Sequence, residues 1–174
     1  AALFLALLAA VLIGASLTVS LAWPLGFVAL TPWLIASARV QLLLGFRLGV
    51  VVAISGGLGF GFWLPGSLSS LLDIHLAWAW AATVAIGLVT LAVFWAPFSL
   101  WISWASRRGH FNPWLIAGAW ALCTHLYGMG PLPWGLLAYS QPPGTLILQI
   151  ADLLGPSGVE AALALTSAFL ACAL

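Results

Sequence analysis

The sequence predicts an all-α polytopic membrane protein, a bundle of about six transmembrane helices, and three observations carry that prediction. Of 174 residues, 64% are hydrophobic and 4% are charged, whereas a soluble domain carries roughly 25% charged residues; the charge available cannot cover a water-facing surface. Apolar runs recur along the whole chain at the length a hydrocarbon core about 30 Å thick demands, roughly 20 residues per helix. The composition also includes 11 Trp, 18 Gly and 10 Pro. Indole rings favour the membrane interface, and Gly and Pro are both commoner in membrane helices than in soluble ones. With a net charge of +1 and no basic patch, the chain offers nothing to nucleic acid.

The first span takes residues 1–20, an uncharged run that Trp23-Pro24 closes with an interfacial aromatic and a helix stop. It has no basic n-region and further spans follow, so it is read as a span rather than a signal peptide. A shorter second span, 26–38, ends at Arg39. The third, 42–64, holds the glycine-dense stretch Ser55-Gly56-Gly57-Leu58-Gly59-Phe60-Gly61, in which Gly57 and Gly61 have the spacing that lets membrane helices pack closely. The chain has no lysine and no strand precedes this stretch, so it is not a phosphate loop. A loop over residues 67–75 carries Asp73. The fourth span, 76–104, contains Pro97, which predicts a kink or an early end. Arg107-Arg108 closes that segment. Asn112-Pro113-Trp114 opens the fifth span, 113–127, with Asn112 as N-cap and Pro113 at the first helical position. A sixth span, 157–174, follows an outer-face loop over residues 128–156 that carries Pro131, Pro133, Pro142, Pro143 and Pro156. Cys123 and Cys172 lie in apolar runs without metal-type companions and are expected to be small buried hydrophobes. The chain begins at Ala1 and stops inside an apolar run at Leu174, which predicts a fragment.

Charge sets the expected orientation. If the spans alternate, Arg39, Arg47, Arg107 and Arg108 all fall on one side and Asp73, Asp152 and Glu160 on the other. The positive-inside rule then puts the N-terminus in the cytoplasm and the loop 128–156 outside.

Candidate functional residues gather at that outer side. His75, His110 and His125 are too scattered to form one metal site. His125, near the outer end of the fifth span, needs a polar partner; a hydrogen bond to a loop carbonyl is the structural expectation and contact with a bound headgroup the functional one. Asp152 and Glu160 flank a Gly155-Pro156-Ser157-Gly158 turn. Paired carboxylates divide acid and base work when their environments differ, but a solvated Asp152 and a Glu160 at a positive helix N-terminus also account for both. Glu160, inside an apolar helix, is the stronger of the two as a site residue. The segment Pro131-Leu132-Pro133-Trp134-Gly135-Leu136-Leu137-Ala138-Tyr139-Ser140-Gln141 is too apolar for bulk water and too broken by proline to span. Irregular backbone at membrane depth persists only where protein buries it or a cavity is wet, so this segment is a candidate floor for an amphiphile's headgroup.

Leu132-Pro133-Trp134, Ala138-Tyr139-Ser140-Gln141 and Gly158-Val159-Glu160, together with Leu21-Ala22-Trp23-Pro24 and Gly45-Phe46 upstream, resemble the membrane portion of apolipoprotein N-acyltransferases over essentially the whole chain. The resemblance implies a bacterial inner-membrane enzyme that moves an acyl chain from a phospholipid donor to the α-amino group of an apolipoprotein's N-terminal diacylglyceryl-cysteine, with no cofactor and no metal. It implies a Glu-Lys-Cys triad on a separate nitrilase-like domain, so no catalytic residue is expected here. It implies that Pro133, Trp134, Tyr139, Ser140, Gln141 and Glu160 line the substrates' approach, with His125 beside them. Where the family often has a Glu and an Arg one turn apart, this chain has Thr124-His125-Leu126-Tyr127-Gly128. Two alternatives stay open: the membrane anchor of a related enzyme, such as a polyprenyl-phosphate mannose synthase partner, and a small transporter.

Overall fold

A computed structural model describes residues 1–88, 92–130 and 135–174. Those residues form helices and connections, with no strand among them. The chain starts in α1, Ala2–Thr18, whose run of Ala and Leu has high helix propensity. Extended backbone at Val19 ends it. A 3-10 helix, Ser20–Phe27, accommodates Pro24 and leads into α2, Thr31–Ala38, with Pro32 near its start. Together they make Ser20–Ala38 one of three described segments long and apolar enough to cross a membrane, the others being Leu42–Phe60 and Leu146–Ala173. The expected short second span thus extends back to Ser20.

Helix α3, Leu42–Phe60, stops at Gly61. The loop expected over residues 67–75 is mostly a helix, α4, Leu64–Leu72, with Pro65 in its first turn. Its end is marked by Asp73 in the left-handed conformation, φ 51°, and by a hydrogen bond from Ser69 Oγ to the Ile74 carbonyl, 2.7 Å. His75 then caps α5, Leu76–Gly87, its Nδ1 accepting from the Ala77 amide at 3.2 Å. The expected fourth span contains α5 and, beyond residues 89–91, which lie outside the described residues, α6, Val93–Arg107. Pro97 lies within α6. Its ring removes one intrahelical hydrogen bond, and the helix continues past it to Arg107.

Helix α7, Pro113–Gly128, has the expected cap: Asn112 Oδ1 accepts from the Trp114 and Leu115 amides at 2.9 and 3.4 Å. Helix α8, Gln149–Ala173, starts eight residues ahead of the expected 157, because Gly155 breaks it internally at φ 65°, ψ −169° and Pro156 restarts it. That backbone conformation is essentially restricted to glycine. The outer-face loop is correspondingly shorter and holds two single turns of 3-10 helix, Leu137–Ser140 and Leu146–Leu148.

Glycine sets the closest helix approaches. A Cβ on Gly49 would stand 2.6 Å from the Ala96 Cα, and one on Gly45 would overlap Ser103 Oγ, so α3 and α6 touch backbone to backbone. Gly59 meets Gly14 of α1 in the same way. Gly61, half of the pair singled out in the sequence, lies past the end of α3.

The core is aromatic. Trp33, Trp95 and Trp120 are buried, which corrects the expectation that tryptophans sit at the interface, and they enclose Phe98 with ring centroids 5.2–5.8 Å apart. The buried indole of Trp33 donates to Ser99 Oγ at 3.1 Å, and Ser99 Oγ is 2.7 Å from Ser37 Oγ, tying α2 to α6. Large apolar side chains such as Phe4, Val11, Trp78 and Leu122 are left exposed, a surface that only lipid can solvate. Cys123 is half-buried and Cys172 exposed near the end of α8, so the second is not the buried hydrophobe expected.

Contacts define the two ends of the bundle. Arg39 reaches the carbonyl of Leu174 at 3.5 Å, Ser103 Oγ donates to the Ser37 carbonyl at 2.8 Å, and Trp114 packs on Phe169. The end of α2, the start of α3, the end of α6 and the end of α8 therefore meet at one end, with the four arginines. The 3-10 helix Ser20–Phe27, α4, the end of α7 and the start of α8 lie at the other.

Candidate functional site

At the end remote from the arginines, one side chain organises its surroundings. Glu160 follows Pro156 by about one turn of α8 and is completely buried. Its Oε2 accepts from the indole N–H of Trp120 at 2.6 Å, and its Oε1 from the backbone amide of Ala138 at 2.8 Å. The first amides of any short helix lack intrahelical acceptors. Glu160 supplies one to the turn Leu137–Ser140 from a distant part of the chain. A buried carboxyl of this kind is tolerated only when such donors meet it.

The same turn is tied on its other flank. Gln141 is buried, and its Nε2 donates to the carbonyl of Trp23 at 3.3 Å and to Ser140 Oγ at 2.9 Å. Ser140 Oγ in turn donates to the Leu137 carbonyl at 2.7 Å. A Cβ on Gly26 would come within 3.1 Å of both Gln141 Nε2 and Ser140 Oγ, so a glycine in the 3-10 helix Ser20–Phe27 makes room for this contact. Gln141 Oε1 is buried and has no hydrogen-bond partner among the described residues.

Between these two anchors Tyr139 projects outward, 57% exposed. It borders a cleft of about 150 Å³ walled by Thr124, His125 and Gly128 from α7, Met129 just past its end, Leu136 from the connection, and Pro156 and Ser157 at the break in α8. His125 Nδ1 lies 3.1 Å from Ser157 Oγ. Its partner is thus a hydroxyl on α8, where the sequence suggested a loop carbonyl. Ser157 follows the backbone break at Gly155 by two residues.

The residues singled out in the sequence fall into three groups. Tyr139 and His125 border the cleft. Ser140 is half-buried beside it, and Gln141 and Glu160 are buried behind the turn they hold. Pro133 and Trp134 lie outside the described residues. Asp152 is exposed in the first turn of α8 whereas Glu160 is enclosed, so the two occupy unlike environments on either side of the break. Trp120 carries no sequence signal of its own beyond the need of a buried carboxyl for donors, and Trp23 and Ser157, though they fall in motifs noted in the sequence, were not expected as partners of Gln141 and His125. Among the described residues no three His, Cys, Asp or Glu side chains are grouped to share a metal ion. What the arrangement offers is apolar walls, a phenol, an imidazole–hydroxyl pair and a rigidly held backbone turn, which suit binding and orientation.

No solved structure matches the chain. A curated protein named apolipoprotein N-acyltransferase, from Nitrosomonas europaea, is 31% identical over 98 residues, which is 52% of this chain and 20% of that protein. The chain therefore spans a fifth of the length of the curated relative it matches. The profile of the apolipoprotein N-acyltransferase N-terminal domain matches residues 3–169, a stretch that includes all but the first residue of α1, the turn at Tyr139 and Glu160. The chain belongs to the apolipoprotein N-acyltransferase N-terminal domain family.

Proposed function

We propose that this chain is the membrane portion of an N-acyltransferase that moves an acyl chain from a phospholipid to the N-terminal diacylglyceryl-cysteine of apolipoproteins, and that its own task is to bind and orient those lipid substrates. It crosses the bacterial inner membrane about six times, with the N-terminus and the arginine-bearing end in the cytoplasm and residues 128–156 on the periplasmic side. The covalent chemistry resides in sequence outside these residues.

The observation that carries this reading is the hold of Glu160 on the Ala138 amide. It fixes a non-spanning turn at membrane depth and presents Tyr139 to a cleft between α7 and α8. Holding a substrate in a reactive geometry is worth orders of magnitude in rate, and a displacement of 1 Å costs roughly 10²-fold. A turn anchored on both flanks is suited to that demand. Pro133, Trp134, Tyr139, Ser140 and His125 contact the substrates in this reading, while Gln141 and Glu160 act through the turn.

The test uses the complete protein in membranes and follows acyl transfer to an apolipoprotein. Tyr139→Ala, Trp134→Ala and Glu160→Ala are each expected to slow transfer at least tenfold, with Tyr139→Phe keeping most of the activity if ring contact rather than the hydroxyl matters. Unchanged rates in all three alanine variants would remove this site from the mechanism.

A further inference from the structure

At the opposite end of the bundle, α3 and α6 border a groove of about 280 Å³ walled by Leu42, Pro97, Leu100, Trp101 and Trp104. Leu42 and Trp104 remain exposed, so the groove opens sideways onto the bilayer. Its chemistry changes in one direction along α6. Pro97, Leu100 and Trp101 are apolar, Trp104 has the amphipathic ring that favours the headgroup boundary, and Arg108 follows with its guanidinium carbon 4.7 Å from the Trp104 ring centroid. Pro97 to Arg108 spans roughly 16 Å at 1.5 Å per residue, close to one leaflet, half of a hydrocarbon core about 30 Å thick. An acyl chain lying in the groove would bring its phosphate to the level of Arg108.

We infer that this groove seats one acyl chain of an anionic phospholipid, whose phosphate pairs with Arg108. A guanidinium held over an indole keeps a planar fork of N–H donors that can meet a phosphate, which lysine does not supply. Charge complementarity favours a lipid of net negative charge over a zwitterionic one. Arg39, Arg47, Arg107 and Arg108 are all the basic side chains in the sequence other than histidine, the bundle gathers them at this end, and Asp73, Asp152 and Glu160 belong to the other. The seat is separate from the cleft at Tyr139 and does not depend on acyl transfer or on which face of the membrane the arginines occupy.

The full-length protein, extracted from vesicles of equal parts phosphatidylglycerol and phosphatidylcholine and examined by native mass spectrometry, is expected to retain one phosphatidylglycerol per chain in preference to phosphatidylcholine. Arg108→Gln, at an exposed position that leaves folding intact, is expected to lower that preference roughly fivefold. Arg39→Gln leaves it in place. Leu100→Trp, which fills the groove, abolishes retention of either lipid. A wild-type preference in Arg108→Gln overturns the inference, and so does an equal loss in Arg39→Gln, because the effect then reduces to the general attraction of an anionic surface for any arginine.

Discussion

Glu160 joins three parts of the chain through two oxygens, and its substitutions should separate charge from shape. In Glu160→Gln one oxygen becomes an amide donor, so either Trp120 Nε1 or the Ala138 amide loses its acceptor; leaving one buried donor unpaired costs about 1–3 kcal/mol. Glu160→Ala removes both acceptors and opens a void, so its thermal unfolding in detergent should begin below that of Glu160→Gln, with Trp120→Phe milder than either. Equal midpoints for the three variants and the wild type would mean that the carboxyl supports nothing. Glu160 was legible in the sequence, because a carboxylate inside an apolar helix is rarely idle. Trp120 was not: it lies 40 positions away, and nothing in local spacing pairs an indole on one helix with an acid on another. The same holds for Ser157 and His125, 32 positions apart.

Among the helices, the seam between α3 and α6 is the least forgiving of added volume. Gly49→Leu must displace the Ala96 backbone, and overpacking of this kind costs typically 1–3 kcal/mol, read as a lowered unfolding midpoint. Gly66→Ala in α4, where a Cβ meets nothing within 4 Å, is the matched control and should not destabilise. Gly155→Ala forces a side chain into a conformation that costs of order 1–3 kcal/mol. It should also disturb the pairing of His125 with Ser157, visible as slower acyl transfer out of proportion to its loss of stability. These elements differ in how far local chemistry announces them. Asn112-Pro113 gave the start of α7 to the residue, since cap and first turn are both local. Helix α4 did not announce itself, because a nine-residue segment with Ser67, Ser69 and Ser70 has the composition of a loop.

At the scale of the whole molecule, the separation of charge predicts orientation. In a variant with Cys123 and Cys172 replaced by Ser, Ser70→Cys in α4 and His110→Cys beside the arginines should report opposite faces. A membrane-impermeant maleimide added to intact cells with a permeabilised outer membrane is expected to label the first and spare the second until the inner membrane is opened. The reverse pattern would invert the assigned topology. All-α architecture and the two-ended distribution of charge were legible because both follow from composition and sequence order. The aromatic core was not, since burial of Trp33, Trp95 and Trp120 rather than their display at the headgroups depends on which helices become neighbours. The dependence of the turn at Ala138 on Glu160 also bears on biosynthesis. The acceptor lies 22 residues downstream of the amide it serves, so the turn leaves the ribosome before its anchor does. The earlier helices can enter the bilayer one after another, but the substrate-facing surface takes its final form only once α8 has been delivered and has slotted against α7.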